Sequence, residues 1–400
     1  MKLIYIVATL PYSAGNEDFF IPEIKELIRQ KHEVLLVPRS PKGMLICEDA
    51  KDLLDLTIGK PLFSYTIIRE AFYEISRSPG SGLRSLGLLF RSRSLGTLIK
   101  NLAIFPKGLW LARLARNWGA DHIHAQWAAA TASMALIASE ASGIPWSITA
   151  HRGDIVQNNL LNVKAQKASF LRFISKSSLQ LARYVGVRGL EKKARVIHMG
   201  ISLPFFQVDP VKLSTASTIL CPGNLIPVKG HKYLLESMAI LRERNVECFL
   251  QIAGQGKLLQ TLLRHAADLA ITDRVTFLGQ VPHSDLLKLY SDGKVGMVVL
   301  PSLDLGKGLH EGIPVSLIEA MSYGIPVLST TTGGIPELLY GDAGLMVPPQ
   351  DSVALANAIE QLIRDPVLRM RLSQAGKRRI MEEFAIESVV NDLLKPIKAN

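Results

Sequence analysis

Four hundred residues suffice for two or three domains with large buried cores, and 48% hydrophobic content without a low-complexity tract fits a globular chain. No apolar run reaches the ~18–20 residues a membrane-spanning helix needs, and the cysteines, Cys47, Cys221 and Cys248, show neither a disulfide framework nor metal-ligand spacing, as expected for a reducing cytoplasm. The formal net charge of +11 belongs to the N-terminal half: residues 1–205 hold 27 Lys/Arg against 15 Asp/Glu, residues 206–400 hold 19 against 20.

The chain opens on MKLIYIVATLPYS. A lysine before an apolar run can begin a secretory signal, but Pro11 ends the run and no small-residue cleavage pattern follows, so a buried first strand over residues 3–8 is expected. Ser13-Ala14-Gly15-Asn16 breaks it. Phe19, Phe20, Ile24, Leu27 and Ile28 then recur at helical spacing, and residues 34–37 read as a second strand. Between 75 and 120 stand Arg77, Arg84, Arg91, Arg93, Lys100, Lys107, Arg113 and Arg116, interleaved with leucine and phenylalanine and with no acidic residue. Gly80, Gly82 and Pro106 are expected to divide this section into two or three helices. Its composition is that of interfacial helices on an anionic membrane surface, where each basic residue is worth about 1 kcal/mol; a solvated basic face is the alternative. Nucleic acid is not an expected partner, because neither a reader motif nor a basic–aromatic stacking platform accompanies the charge.

Alternation then resumes, with strands at 121–124, 146–149, 170–174 and 195–197 and helices at 131–142 and 176–184. Residues 202–217, with Pro204 and Pro210, read as a linker. A second block follows, with strands at 218–221, 248–253, 275–278 and 295–300 and helices at 230–244, 258–270 and 285–290. The tail carries helices at 353–364, 366–384 and 386–397. Two doubly wound α/β domains of similar size result, with ligands expected at the carboxyl ends of the strands.

The stretch from 307 to 339, KGLHEGIPVSLIEAMSYGIPVLSTTTGGIPELL, holds Glu311 and Glu319 with seven residues between them. Pro314 suits the first position of a helix, which puts Glu311 on the preceding loop and Glu319 in the second turn, with free N–H groups between them. Two carboxylates beside an anion site suit a ligand that is part sugar and part phosphate; an ordinary amphipathic helix with solvated glutamates is the alternative. Lys229, in CPGNLIPVKG, can present a point charge to a phosphate, although the spacing is not that of a P-loop. Gly254 and Gly256 match part of a dinucleotide fingerprint, but Leu259 takes the third glycine position and no acidic residue closes a strand about twenty residues on, so a tight turn is expected there. His151, in TAHRGD, follows a strand at its carboxyl end, where a ligand or a structural hydrogen bond could hold it. His122 and His124 share one strand face without a further ligand, so no metal site is expected. No Gly-x-Ser-x-Gly elbow of a serine hydrolase occurs.

Together these segments resemble the retaining glycosyltransferases of family 4, the group 1 class, and among them the exopolysaccharide (colanic-acid-type) transferases. GNEDFFIPEIKELIRQKHEV is similar to the family's first loop and helix, and DHIHAQW and GIPWSITAHRGDI to its central N-domain strands. CPGNLIPVKG, DRVTFLGQVP and VVLPS are similar to its C-domain, and EGIPVSLIEAMSYGIPVLSTTTGGIPELL to its donor-site signature, the most specific of these. The resemblance implies an α/β GT-B fold of two doubly wound Rossmann-like domains facing a central cleft. Residues 1–204 would bind acceptor, 205–385 the nucleotide sugar, and 386–400 would form a helix crossing back to the N-domain. It implies retaining transfer of a hexose from a UDP- or GDP-linked donor to a saccharide or lipid-linked acceptor at the cytoplasmic membrane surface, without cofactor or metal. Glu319 would bind the ribose and Glu311 the donor-sugar hydroxyls. Gly312, Ile313, Pro314 and Val315 would face the donor, Val281 would join them, and Lys229 with Asn224 would meet the diphosphate. Gly15 would let the first loop approach that diphosphate, and His151 would contact the transferring sugar and the acceptor region. Asn224 stands where the family commonly has arginine, so the diphosphate should lean on Lys229, with Lys307 as a substitute cation. A nucleotide-sugar epimerase and a non-catalytic nucleotide-sugar-binding protein are the alternatives on this architecture.

Overall fold

The apolar runs become the central strands of two parallel sheets in the computed structural model, which describes residues 1–12, 17–43, 48–203, 217–306 and 309–399. Gly15, Lys307 and most of the expected linker lie outside the described residues. The chain divides into two compact units, Met1–Gly200 with Ile386–Asn400, and Ile201–Ala385.

In the first unit the order is β1 (Lys2–Val7), α1 (Ile21–Arg29), β2 (Glu33–Pro38), α2 (Tyr65–Arg77), α3 (Pro79–Leu89), α4 (Leu95–Trp118), β3 (His122–Gln126) and α5 (Ala130–Ser142). It continues with β4 (Trp146–Ala150), α6 (Arg152–Gln157), α7 (Leu161–Lys167), β5 (Phe170–Phe173), α8 (Lys176–Tyr184), α9 (Leu190–Lys193) and β6 (Ala194–Val196). The sheet runs β2-β1-β3-β4-β5-β6, all parallel, so the strand order reverses between β1 and β3. Leu3 to Val7 are all buried because helices cover both faces, which is why β1 reads as an unbroken apolar run.

Gly80, Gly82 and Pro106 do not act as the expected dividers. Both glycines lie inside α3, and Pro106 lies within the 24-residue α4. The breaks fall instead at Ser78 and before Ser94, whose side chain accepts the Thr97 N–H as an N-cap. Gly108 explains the close packing of α4: a Cβ there would lie 2.7 Å from Ile137 of α5.

The basic section is also less exposed than its composition implies. Lys107 is fully buried and donates to the carbonyls of Pro38 (2.6 Å), Arg39 (2.9 Å) and Lys60 (2.7 Å). Arg113 pairs with Glu70 and Arg116 with Glu74. Those two acids stand on α2, just upstream of the acid-free window. Arg77, Arg84, Arg91, Arg93 and Lys100 remain exposed.

One face of the first sheet is a buried polar ladder. Register places Tyr5 opposite His124, His124 opposite Ser147, and Thr149 opposite Arg172, and directly opposed residues share a face. Ser147 Oγ lies 2.7 Å from His122 Nε2 and 2.7 Å from His124 Nδ1, while His124 Nε2 meets Thr149 Oγ1 at 2.9 Å. Burial pushes the His122 imidazolium down to about 4 and lowers His124 well below its ordinary range, so both rings stay neutral. The pair is thus spent on the core.

The second unit contains β7 (Thr218–Pro222), α10 (His231–Glu243), β8 (Phe249–Ala253), α11 (Leu259–Asp268), β9 (Val275–Gly279), α12 (His283–Ser291) and β10 (Met297–Leu300). There follow α13 (Val315–Ser322), β11 (Val327–Thr330), α14 (Ile335–Leu338), β12 (Leu345–Val347), α15 (Ser352–Arg364) and α16 (Pro366–Glu383). Its sheet runs β12-β11-β10-β7-β8-β9, and the order reverses between β7 and β10. The final helix, α17 (Ile386–Lys398), belongs to the first unit, where Ile386, Val390, Leu393, Leu394 and Ile397 join the core beside α1. No described helix is long and apolar enough to cross a membrane.

Candidate functional site

In a doubly wound sheet, loops from strands flanking the order reversal diverge and leave room for a ligand. In the second unit those are the loops after β7 and β10, joined by the loops after β8 and β11. Backbone meets backbone where they stack. A Cβ on Gly254 would lie 2.0 Å from the Gly223 carbonyl oxygen, and one on Gly333, which has φ of +57°, would lie 1.9 Å from that of Glu311. The Gly254 pattern therefore serves loop packing, as the missing third glycine implies.

These contacts fix the two chemically active side chains. Lys229 ends a short 3₁₀ turn, Pro227–Lys229, and its stem passes over Gly223, whose Cβ would be 3.2 Å from Lys229 Cε. Lys229 Nζ lies 3.1 Å from Glu311 Oε1, with both side chains largely buried. The Glu311 carbonyl is held by His310 Nδ1 at 2.7 Å and lies 3.4 Å from the Gly334 N–H, which also reaches the Gly312 carbonyl at 3.2 Å. Helix α13 begins at Val315, one residue later than expected, because Pro314 (ψ of 121°) is its N-cap and not its first helical residue. The expected consequence is unchanged: Glu311 precedes the helix and Glu319 lies in its second turn. The first N–H groups of α13 have no acceptor within the helix and carry the positive end of its dipole.

Glu319 has a neighbour that sequence spacing does not reveal. His283 Nε2, at the start of α12, lies 2.8 Å from Glu319 Oε1. Val281, two residues earlier, is half-buried against the core, and Asn224 is exposed just after β7. The second unit thus brings Lys229 and Glu311 into contact and sets Gly312, Ile313 and Pro314 between Glu311 and the helix carrying Val315 and Glu319. Among the described residues no three His, Cys, Asp or Glu side chains gather as a metal site.

The first unit has its own cluster at the β1/β3 reversal. Glu17 Oε2 accepts the N–H groups of Thr9 (2.6 Å) and Leu10 (2.9 Å), and Oε1 accepts those of Ala8 (2.9 Å) and the Trp127 indole (2.6 Å). Trp127 adopts a φ of +71°, a sparsely populated conformation for a bulky residue and one that concentrates at functional sites. Its ring packs on His151 at 4.3 Å between centroids, with Phe19 and Phe20 alongside. Asp154 Oδ2 accepts the N–H groups of His151 (3.0 Å) and Ala128 (2.7 Å), tying the end of β4 to that of β3. Burial, then the nearby Arg172, pushes the His151 imidazolium down to about 3. The ring stays neutral, and its buried Nε2 has no hydrogen-bond partner among the described residues. His151 is thus equipped to make one hydrogen bond and not to carry charge.

Residues 206–379 match the family described as Glycosyl transferases group 1. The chain is 26% identical to the GDP-mannose-dependent alpha-(1-6)-phosphatidylinositol monomannoside mannosyltransferase of Mycolicibacterium smegmatis, over 70% of this chain and 78% of that one. It is 35% identical to the putative colanic acid biosynthesis glycosyltransferase WcaL of Escherichia coli, an alignment spanning about half of each, 52% and 52%. Among solved structures, HepE of Anabaena in complex with UDP superposes over 100% of both chains with a TM-score of 0.72 at 16% identity, which establishes the shared α/β GT-B fold. The family match lies over β7 to α16, within the second unit.

Proposed function

We propose that the chain is a retaining, metal-independent glycosyltransferase that moves a hexose from a UDP- or GDP-linked donor to a saccharide or lipid-linked acceptor. The observation carrying this reading is the Lys229–Glu311 contact at the start of α13, beside the strand reversal of the unit that holds the group 1 family match. Breaking the anomeric C–O bond puts negative charge on the nucleoside diphosphate and positive character on the sugar. Lys229 and the first N–H groups of α13 stabilise the former as fixed electrostatic partners. Glu311 accepts from the sugar hydroxyls and Glu319 from the ribose. Retention follows most simply from same-face attack, with the leaving phosphate oxygen taking the acceptor's proton, so Glu311 remains a sugar ligand and not a covalent nucleophile. In the first unit, His151 supplies a neutral hydrogen bond to the transferring sugar or its acceptor.

The relatives span both bases: the M. smegmatis protein is named as GDP-mannose-dependent and HepE was solved with UDP. The likeness to WcaL, named as a putative colanic acid biosynthesis glycosyltransferase, supports a saccharide acceptor for this chain. A cytoplasmic, peripheral location on an anionic membrane surface is the accompanying proposal, supported by five exposed basic residues between 77 and 100 beside the exposed Leu83, Phe90, Leu95 and Ile99.

A screen of UDP-, GDP- and ADP-sugars, with and without a glycan acceptor, tests the enzymatic reading. Replacing Lys229 or Glu319 by alanine should lower transfer by roughly a hundredfold, the scale of losing one preorganised charge partner. Near-normal turnover in both variants would overturn the assignment, and a rearranged sugar released without acceptor would point to an epimerase.

A further inference from the structure

Lys229 already has an anionic partner. Its Nζ sits 3.1 Å from Glu311, whereas the proposed function asks it to hold a diphosphate and asks Glu311 to hold sugar hydroxyls. Resting on that reading, we infer that Glu311 is a product-release residue, which competes with the spent nucleoside diphosphate for Lys229 once the sugar has gone.

The geometry makes the exchange a side-chain event. The Glu311 backbone is clamped by His310, Gly333 and Gly334, and the Lys229 stem is seated on Gly223. The Glu311 backbone is held in place, so the partners change by rotation about side-chain bonds. A complete donor satisfies both groups together: its diphosphate takes Lys229, and its sugar hydroxyls donate to the released Glu311 carboxylate. A nucleoside diphosphate without its sugar satisfies only Lys229. Glu311 is then left as an anion beside another anion, without hydroxyl donors, in a largely buried position where repulsion is weakly screened. Asn224, nearby after β7, is uncharged and does not relieve it. The site therefore discriminates donor from product through one shared cation, and product inhibition is held down by the same glutamate that binds the sugar.

The test is titration calorimetry of UDP, GDP and ADP, and of the matching nucleotide sugar, on the wild-type chain and on Glu311→Gln, Lys229→Met and the double variant. Glu311→Gln keeps the shape and removes the charge. It should bind the nucleoside diphosphate about fivefold tighter, the scale of releasing one partly exposed ion pair, while binding the nucleotide sugar no tighter. The gain should shrink in the Lys229→Met background, where the competition for the cation is gone and only direct repulsion by Glu311 remains, and the product-inhibition constant of Glu311→Gln should fall in parallel. Diphosphate binding that is equal or weaker in Glu311→Gln, with Lys229→Met still weakened, overturns the inference and leaves the nucleotide-sugar reading standing. No binding of any nucleotide to the wild-type chain overturns both. Circular dichroism of each variant confirms that the fold is retained.

Discussion

Lys107 sits in surroundings far from those usual for its type. A lysine in a basic stretch reads as surface charge, yet this one is buried in α4 and satisfied by three carbonyls. Burial first, then repulsion from Arg39, pushes its ammonium down to about 7. A lysine depressed in the folded state binds protons more weakly there than in the unfolded chain. Its contribution to stability is therefore complete above the unfolded value near 10.4 and is lost as pH falls towards about 7, at up to roughly 1.4 kcal/mol per pH unit. Lys107→Met should flatten the rise of the unfolding midpoint between pH 7 and pH 10. All four tryptophans lie in the first unit, so indole fluorescence reads that unit. An unchanged slope would assign the rise elsewhere, Lys164, also pushed down to about 7 by burial, being the next group to replace.

At the scale of elements, α3 and the start of α4 carry the membrane proposal. Phe90 is 61% exposed, Leu95 73% and Ile99 58%, within eleven residues of one another and interspersed with Arg91, Arg93 and Lys100. Vesicles with anionic lipid should bind the chain in a salt-sensitive way. Neutralising Arg84, Arg91 and Arg93 together should cost about 3 kcal/mol, or more than a hundredfold in partitioning, in a flotation assay. Neutralising the internally paired Arg113 and Arg116 should not reproduce that loss; equal binding by the triple variant and the unmodified chain would refute the proposal. The same helices show where sequence reading stops. Strand positions are legible because buried parallel strands are unbroken apolar runs, and the helix expected at residues 176–184 forms there, with the Ser175 side chain accepting the Ser178 N–H as its N-cap. Pro106 was misread as a divider because the packing of Gly108 on Ile137 and the seating of Lys107 are long-range contacts that outweigh the local preference. In the second unit, Glu311, Glu319 and Lys229 were legible as chemistry, but their pairing was not. Lys229–Glu311 links positions 82 residues apart across the adjacent ends of β7 and β10, and His283–Glu319 links positions 36 residues apart on two successive helices.

The whole molecule is two parallel sheets with one exchange of chain: after crossing the second unit, residues 386–400 finish the core of the first. Leu393 is 1% exposed among α1 and β1 side chains. Leu393→Ala should cost about 2–5 kcal/mol and lower the denaturant midpoint seen by tryptophan fluorescence, although the mutation is some 250 residues from the nearest indole in sequence. A midpoint unmoved by Leu393→Ala would show that α17 adds nothing to that core. The two units also answer the same electrostatic problem differently. At the carboxyl end of β1 the N–H groups of Ala8, Thr9 and Leu10 converge on a side chain, whereas after β7 those of Gly223, Leu225 and Ile226 are taken by backbone carbonyls. In the first unit Glu17 fills the turn after β1 as a built-in counter-ion, covalently tethered and fixed before any substrate arrives. Phosphate from solution would have to evict a carboxylate whose local concentration it cannot match. The turn is self-liganded, so the charge for the proposed reaction has to come from the second unit.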